Sequence, residues 1–172
     1  SFTHNNKKEN WYYGINAMAQ TSNGHRFNAG NRIARFRTYA RYSDQNGRTY
    51  RLSHILSYSD IGHPGFVNSP SYRKSRRISQ YYQLNGFYPI SQGLSMSHSI
   101  FLNKFNTHYS NRKDIPALWL DANTPMDETN YDDVNLGLRS EMILTNLSRW
   151  VIMLGFDTDW SQSNVDLLNQ QY

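Results

Sequence analysis

Short and long connections alternate along the whole of this chain. Segments with strand-like alternation run over Trp11–Gln20, Ile33–Ser43, Thr49–Ser59, Ser79–Tyr88, Leu94–Asn103, Val134–Leu144 and Trp150–Trp160. Three connections are short: Asp44–Arg48 around Asn46-Gly47, Pro89–Gly93, and Thr145–Arg149. The alternate three are longer, at Thr21–Arg32, Asp60–Ile78 and Lys104–Asp133. Antiparallel strands with tight turns at one end and extended loops at the other are the layout of a transmembrane β-barrel. A soluble sandwich has no reason to gather its long loops at one end. The expected fold is therefore all-β: an antiparallel transmembrane β-barrel segment of about seven or eight strands, in a single portion spanning residues 1–172.

Composition agrees. The apolar fraction is only 38% while aromatics reach 15%, thirteen of them Tyr. Strands with lipid on one side and water on the other need few apolar residues and place aromatics at the interfaces. No stretch approaches the roughly 20 apolar residues of a helical span. There is no Cys, so disulfides and thiolate metal sites are excluded. The six His show no paired metal-ligand spacing, and neither a metal nor a cofactor is expected. Ser1-Phe2-Thr3-His4, followed by Asn5-Asn6-Lys7-Lys8, lacks the apolar core of a signal peptide, so an export signal is expected to lie upstream or to have been removed. Net charge is +5, but 18% charged residues is a thin supply for nucleic acid, which is not an expected partner.

Alternation splits each segment into two faces. Trp150, Ile152, Leu154, Phe156, Thr158 and Trp160 oppose Val151, Met153, Gly155, Asp157 and Asp159. The two Trp, ten residues apart, are separated by roughly 24 Å along a membrane normal at ~3.3 Å per residue and a tilt of 40–45°, close to the apolar band of such barrels. The expected lipid-facing girdle is Trp11, Tyr13, Tyr42, Tyr58, Tyr82, Trp150 and Trp160. On the second segment Ala34, Phe36, Thr38, Ala40 and Tyr42 oppose Arg35, Arg37, Tyr39 and Arg41. Three Arg on one face must be hydrated or paired, which suits a wet lumen. Two histidines fit less well: His54 falls among Tyr50, Leu52, Leu56 and Tyr58, and His98 among Met96, Ile100 and Leu102. A charged imidazole facing lipid is costly, and these positions favour a soluble β-sandwich that binds carbohydrate or another surface partner.

Bacterial single-chain barrels use an even number of strands. Seven strands leave an unpaired edge, and unpaired backbone in hydrocarbon costs several kcal/mol per group. Gln162–Tyr172 alternates poorly and reads as the opening of a fourth long loop. A portion of a larger barrel is thus expected in preference to a hidden eighth strand.

The run Tyr50-Arg51-Leu52-Ser53-His54-Ile55-Leu56-Ser57-Tyr58-Ser59-Asp60, then His63-Pro64-Gly65, resembles an early barrel strand of TonB-dependent outer-membrane receptors. Tyr82-Gln83-Leu84-Asn85-Gly86-Phe87-Tyr88, a tight turn, then Leu94-Ser95-Met96-Ser97, is similar to their following hairpin. Leu136-Gly137-Leu138-Arg139-Ser140-Glu141 with Trp150-Val151-Ile152-Met153-Leu154-Gly155-Phe156-Asp157 is similar to a later strand pair. The likeness runs over most of the chain. It implies a 22-stranded barrel with an N-terminal plug in the outer membrane of a Gram-negative bacterium, taking up ferric siderophores, haem, cobalamin or sugars. Its implied partners are outer-membrane lipid and lipopolysaccharide, the TonB complex, and a small solute such as a ferric chelate. Plug and TonB-engaging segments are not recognisable here, and two-thirds of the barrel is expected elsewhere. A smaller pore-like or structural outer-membrane barrel is the other membrane reading.

Candidate chemistry is sparse. Ser22-Asn23-Gly24-His25 resembles the Ser-Asn-Gly of outer-membrane phospholipases, but Ala19, Gln20 and Thr21 stand where the activating His belongs. A turn is the simpler reading, and no enzyme is expected. The second long loop carries His63, Tyr72, Arg73, Lys74, Arg76 and Arg77, suited to an anionic ligand or lipopolysaccharide phosphates. The third holds Asp121, Asp127, Glu128, Asp132 and Asp133, read as a solvated acidic loop, with Trp119 as its anchor. Arg35, Arg37, Arg41 and Arg51 are expected to face the plug or the solute path. The inward charges are expected to pair across strands, Arg139 and Glu141 lying in a hairpin with Asp157 and Asp159.

Overall fold

The computed structural model describes residues 1–25, 29–63, 65–66, 69–70, 73–111, 126–147 and 150–170. These form β1 (Phe2–Lys8), β2 (Trp11–Ser22), β3 (Asn31–Ser43), β4 (Thr49–Gly62), β5 (Gly65–Phe66), β6 (Ser69–Pro70), β7 (Arg73–Ser91), β8 (Leu94–Asn111), β9 (Met126–Leu147) and β10 (Trp150–Gln170). Eight strands make one antiparallel sheet in the order β1-β2-β3-β4-β7-β8-β9-β10, and β5 pairs with β6 in a two-residue ribbon. No helix occurs among the described residues. The chain is all-β and meanders, each main strand pairing with the next.

All seven strands expected from sequence are present, and the turn chemistry explains their register. Asp44 Oδ1 accepts the amides of Asn46 and Arg48, at 2.9 and 2.8 Å, while Gly47 takes a positive φ of 78° that favours glycine. That turn sets Ser43 opposite Thr49, which in turn places Arg41 opposite Arg51. Gly93, at φ 85°, closes the β7–β8 hairpin in the same way.

Three expectations are corrected. An eighth strand exists at the start of the sheet: β1 pairs with β2 from Phe2↔Ala17 to Lys8↔Trp11. Its polar composition hid it, because all seven of its residues are exposed and no face needs to be apolar. Gln162–Gln170 does not open a loop but continues β10 against β9. The long connections are also shorter than expected, because the strands overrun their apolar parts. Arg73, Lys74, Arg76 and Arg77 lie in β7, and Asp127–Asp133 lie in β9. Cross-strand backbone pairing carries these polar residues, so hydropathy marks only the middle of each strand. Tyr72, Trp119 and Asp121 fall outside the described residues.

The sheet is a single layer. Among the described residues no apolar side chain is buried; the buried set is Ser53, Asp60 and Thr107. The accessible surface is 12813 Å², against about 8,800 Å² for a compact chain of this mass. A sandwich requires two sheets packed face to face; beside the two-residue ribbon the described residues form one sheet, with no second layer among them. Stability must come from backbone pairing and from cross-strand side-chain packing. Aromatic rings laid over glycines supply part of it. Tyr39 covers Gly14, and the Phe101 ring occupies the space where a Cβ at Gly137 would stand. Such aromatic–glycine cover compensates a strand glycine's missing side chain.

Substituting Gly137→Val is expected to destabilise the folded protein by about 1–3 kcal/mol through overpacking. Adding Phe101→Ala is expected to recover part of that loss, so a urea-unfolding double-mutant cycle should give a sum smaller than the single effects.

Candidate functional site

Register assigns every strand residue to one of two faces. One face carries Tyr12 on β2, Arg35, Arg37, Tyr39 and Arg41 on β3, Arg51 on β4, Tyr81, Gln83 and Asn85 on β7, Ser99 and Phe101 on β8, and Arg139 and Glu141 on β9. Side chains from all six of these strands line one cleft of about 970 Å³. Residues on strands this far apart share a concavity only if the sheet curls toward them. The polar face is therefore the concave, inner one.

Polar groups on that face form short local networks. The Tyr39 hydroxyl donates to Asn5 Oδ1 at 2.7 Å and lies 3.2 Å from the Tyr12 hydroxyl. The Arg37 guanidinium sits 5.7 Å from the Tyr39 ring centroid, a cation–π contact, and its Nε is buried without a hydrogen-bond partner. Arg35 Nε donates to Ser57 Oγ at 3.3 Å. Gln83 Nε2 donates to Asn85 Oδ1 and Ser99 Oγ at 3.1 and 3.2 Å. Arg139 donates to Asp157 directly across the β9–β10 hairpin, as its sequence position implied, with both side chains about half exposed.

The opposite face carries the apolar residues. At its short-turn end a run of rings crosses five strands: Trp11 to Tyr42 at 5.0 Å, Tyr42 to Tyr50 at 6.3 Å, Tyr50 to Tyr88 at 5.5 Å, and Tyr88 to His98 at 5.7 Å between centroids. Trp150 and Trp160 are 73% and 54% exposed on this side of β10. Of the expected girdle residues, Trp11, Tyr42, Tyr58, Trp150 and Trp160 stand at the ends of the apolar stretches. Tyr13 and Tyr82 stand inside them. Tyr82 stacks on His54 at 4.4 Å, which gives the awkward histidine an aromatic neighbour in place of the packed core expected of a sandwich.

This apolar band crosses the sheet obliquely. Following the pairing from Trp11 leads through Tyr42, Tyr50, Gly86, His98 and Ser140 to Phe156. The Trp that ends the band on β10 is Trp150, beyond a bulge and six residues nearer the short turns. At the other edge, pairing from Tyr58 leads through Ile78, Asn106 and Asp132 to Asn164, whereas the terminal Trp is Trp160, four residues nearer the short turns. Six strand steps give a drift of six residues and four steps a drift of four. One residue per strand, at ~3.4 Å rise and ~4.8 Å spacing, corresponds to a tilt of about 35°. Closed barrels tilt their strands by about 35–45°.

The basic cluster on β7 is divided by the pleat. Arg73 and Arg77 share the inner face with the β3 and β4 arginines, and Arg77 Nε donates to Thr107 Oγ1 at 3.1 Å. Lys74 and Arg76 point outward, where Lys74 pairs with the buried Asp60 at 3.0 Å. His63 contacts Ser75 Oγ at 2.9 Å through Nε2. The expected single anion-binding loop is thus two separate surfaces. Ser22 Oγ accepts the Gly24 amide at 3.2 Å with Gly24 at φ 71°, the geometry of a turn. Asp132 accepts from Asn106 at 2.6 Å and Asp133 from Ser163. Sequence reasoning did not single out Tyr12, Gln83, Asn85, Ser99 or Phe101. The Asn46-Gly47 turn fixes only the β3–β4 register; long connections join β2 to β3 and β4 to β7, so pairing alone places these residues around Arg51.

No family model and no curated protein matches the chain. Among solved structures it aligns with Clostridium perfringens delta-toxin at 9% identity over 96% of each chain, with a TM-score of 0.18. That likeness carries no argument.

The half-exposed Arg139–Asp157 pair is expected to contribute under about 1 kcal/mol. A double-mutant cycle of Arg139→Gln and Asp157→Asn should return a coupling of that size, shrinking as salt is raised.

Proposed function

We propose that this chain is wall of an outer-membrane β-barrel that passes a scarce solute, with an outer face in lipid and an inner face in a water-filled lumen. One observation carries the reading: between its end strands each edge of the apolar band drifts by an average of one residue per strand, the stagger a level hydrocarbon slab demands of tilted strands. A single sheet without a buried apolar side chain among the described residues supports it, because such a sheet needs an apolar solvent on one face.

Strand length adds to this. β9 and β10 contain 22 and 21 residues, roughly 70 Å of strand at ~3.3 Å per residue, about twice what a tilted bilayer crossing uses. Long strands projecting past the membrane suit a receptor that presents a surface outside the cell. Together with the order of the three segments that resemble TonB-dependent receptors, one strand and two strand pairs, this favours energised uptake of an anionic solute such as a ferric chelate. The host would be a Gram-negative bacterium. Backbone edges at β1 and β10 must be paired in a bilayer, which further strands of the same barrel would supply. In this reading Arg76, on the outer face just beyond the band, would meet lipopolysaccharide phosphates, while Lys74 is engaged by Asp60.

Reconstitution into vesicles of brominated phosphatidylcholine tests the membrane assignment. With Trp119→Phe, which leaves Trp11, Trp150 and Trp160 as the emitters, fluorescence should be strongly quenched relative to unbrominated vesicles; unquenched emission and solubility without detergent would overturn it. Leu154→Arg, near the middle of the band on β10, should cost about 2–4 kcal/mol of folding stability in lipid, whereas Met153→Arg on the inner face should cost much less. Growth on ferric chelates as sole iron source, with and without the gene, tests uptake.

A further inference from the structure

The inner lining is divided by charge. On the inner face of β1 to β4 stand Lys7, Arg35, Arg37, Arg41 and Arg51, with no inward carboxylate on those strands. On β9 and β10 the inner face carries Asp133, Glu141, Asp157 and Asp159. Between them β7 and β8 present Tyr81, Gln83, Asn85, Ser97 and Ser99 at the level of the cleft. From Arg51 to the nearest acidic strand is three strand spacings, about 14 Å, beyond the ~8 Å screening length at physiological salt. The acidic half therefore does not neutralise the basic half, and Asp157 is already engaged by Arg139.

Within the basic half Arg41 lies directly opposite Arg51, and Lys7 lies on the same hydrogen-bonded row through Tyr12. Like charges facing each other across strands are destabilising. Neither Arg41 nor Arg51 makes a hydrogen bond or ion pair with a described residue. Glu9 and Asp44 share a depression with Arg41 at the turn end, but Asp44 Oδ1 is committed to the Asn46 and Arg48 amides. Arg37, two pleats along β3 from Arg41, adds the buried Nε that lacks a partner. All three guanidinium groups line the one cleft with Tyr12 and Tyr39. Three forked cations and two phenols share the cleft with one carboxylate, Glu141 on its far wall three strands from Arg51, and so form a site whose remaining charge an anion would balance.

We propose that Arg37, Arg41 and Arg51 bind a small soluble polyanion, one carrying two or more carboxylate or phosphate groups. The proposal rests on the barrel reading for its lumen and adds to it the class of solute and the half of the wall that grips it. A small molecule is the occupant because the cleft, about 970 Å³, is at the upper end of small-molecule sites. The planar forks of Arg41 and Arg51 each hold an oxyanion bidentately, which relieves their mutual repulsion. The acidic half faces the same lumen and disfavours a second anion there, so the solute is held toward β2–β4.

Titration calorimetry of the full protein in detergent, with tripolyphosphate and with citrate as probes, tests the site. Both should bind at low salt, and affinity should fall at least tenfold in Arg41→Gln combined with Arg51→Gln. Arg76→Gln, on the outer face, should stay within twofold of wild type. Each variant must retain its β circular dichroism. No binding by wild type, or an equal loss in Arg76→Gln, would overturn the proposal. Brominated-lipid quenching of the same preparations separates the two readings: quenching without anion binding removes the site and leaves the barrel. Anion binding lost selectively in the Arg41/Arg51 variant, in a protein that lipid does not quench, keeps the site and removes the membrane assignment.

Discussion

Backbone pairing between neighbouring strands is the interaction on which everything else in this molecule depends. From Phe2 to Gln170 the main strands are zipped edge to edge with only two register shifts. Among the described residues nothing covers either face. In water a single apolar sheet face would drive association, since large exposed apolar patches mark interaction surfaces. In a bilayer the same face is solvated by lipid, and satisfied hydrogen bonds become the reason the strands stay together.

Once the sheet is read as facing two solvents, its side chains sort consistently. Small residues and aromatics alternate outside, as in Ala34, Phe36, Ala40 and Tyr42, while hydrogen-bonding groups gather inside. The outer histidines lie beside tyrosine rings, His54 on Tyr82 and His98 near Tyr88. Inward glycines lie under Tyr39 and Phe101, where a flat ring replaces the missing side chain. Arg37, Arg41 and Arg51 stand apart from this pattern, because no carboxylate on a neighbouring strand answers their charge. Local order that leaves one cluster uncompensated points to function at that cluster.

Much of the fold was legible in the sequence because alternation and turn residues are local signals. Trp150 to Trp160 announced both faces of β10, and Asn46-Gly47 announced the β3–β4 hairpin. What was not legible depended on pairing alone. β1 has no apolar face to reveal it, and Arg73–Arg77 and Asp127–Asp133 read as loop because their polarity outweighs a strand signal that only the partner strand supplies. Of the site, Arg35, Arg37, Arg41 and Arg51 were visible as alternating cations. That Arg41 faces Arg51, and that Tyr12 and Tyr39 flank them, requires the register of three strands at once.

The oblique apolar band is the feature most open to direct test, since the chain has no native Cys to interfere with labelling. Single spin labels at Ile15, Thr38, Leu102, Leu136 and Trp160, all on one paired row, in lipid vesicles, report depth from their relative accessibility to oxygen and to a water-soluble nickel chelate. The account predicts that depth changes progressively along a hydrogen-bonded row, so that Leu136 on β9 lies nearer the long-loop edge of the band than Ile15, its row-mate on β2. Labels at the inward positions Tyr81 and Gly155 should favour the nickel reagent. Equal depth along the row, or outward labels that favour the aqueous reagent, would contradict it.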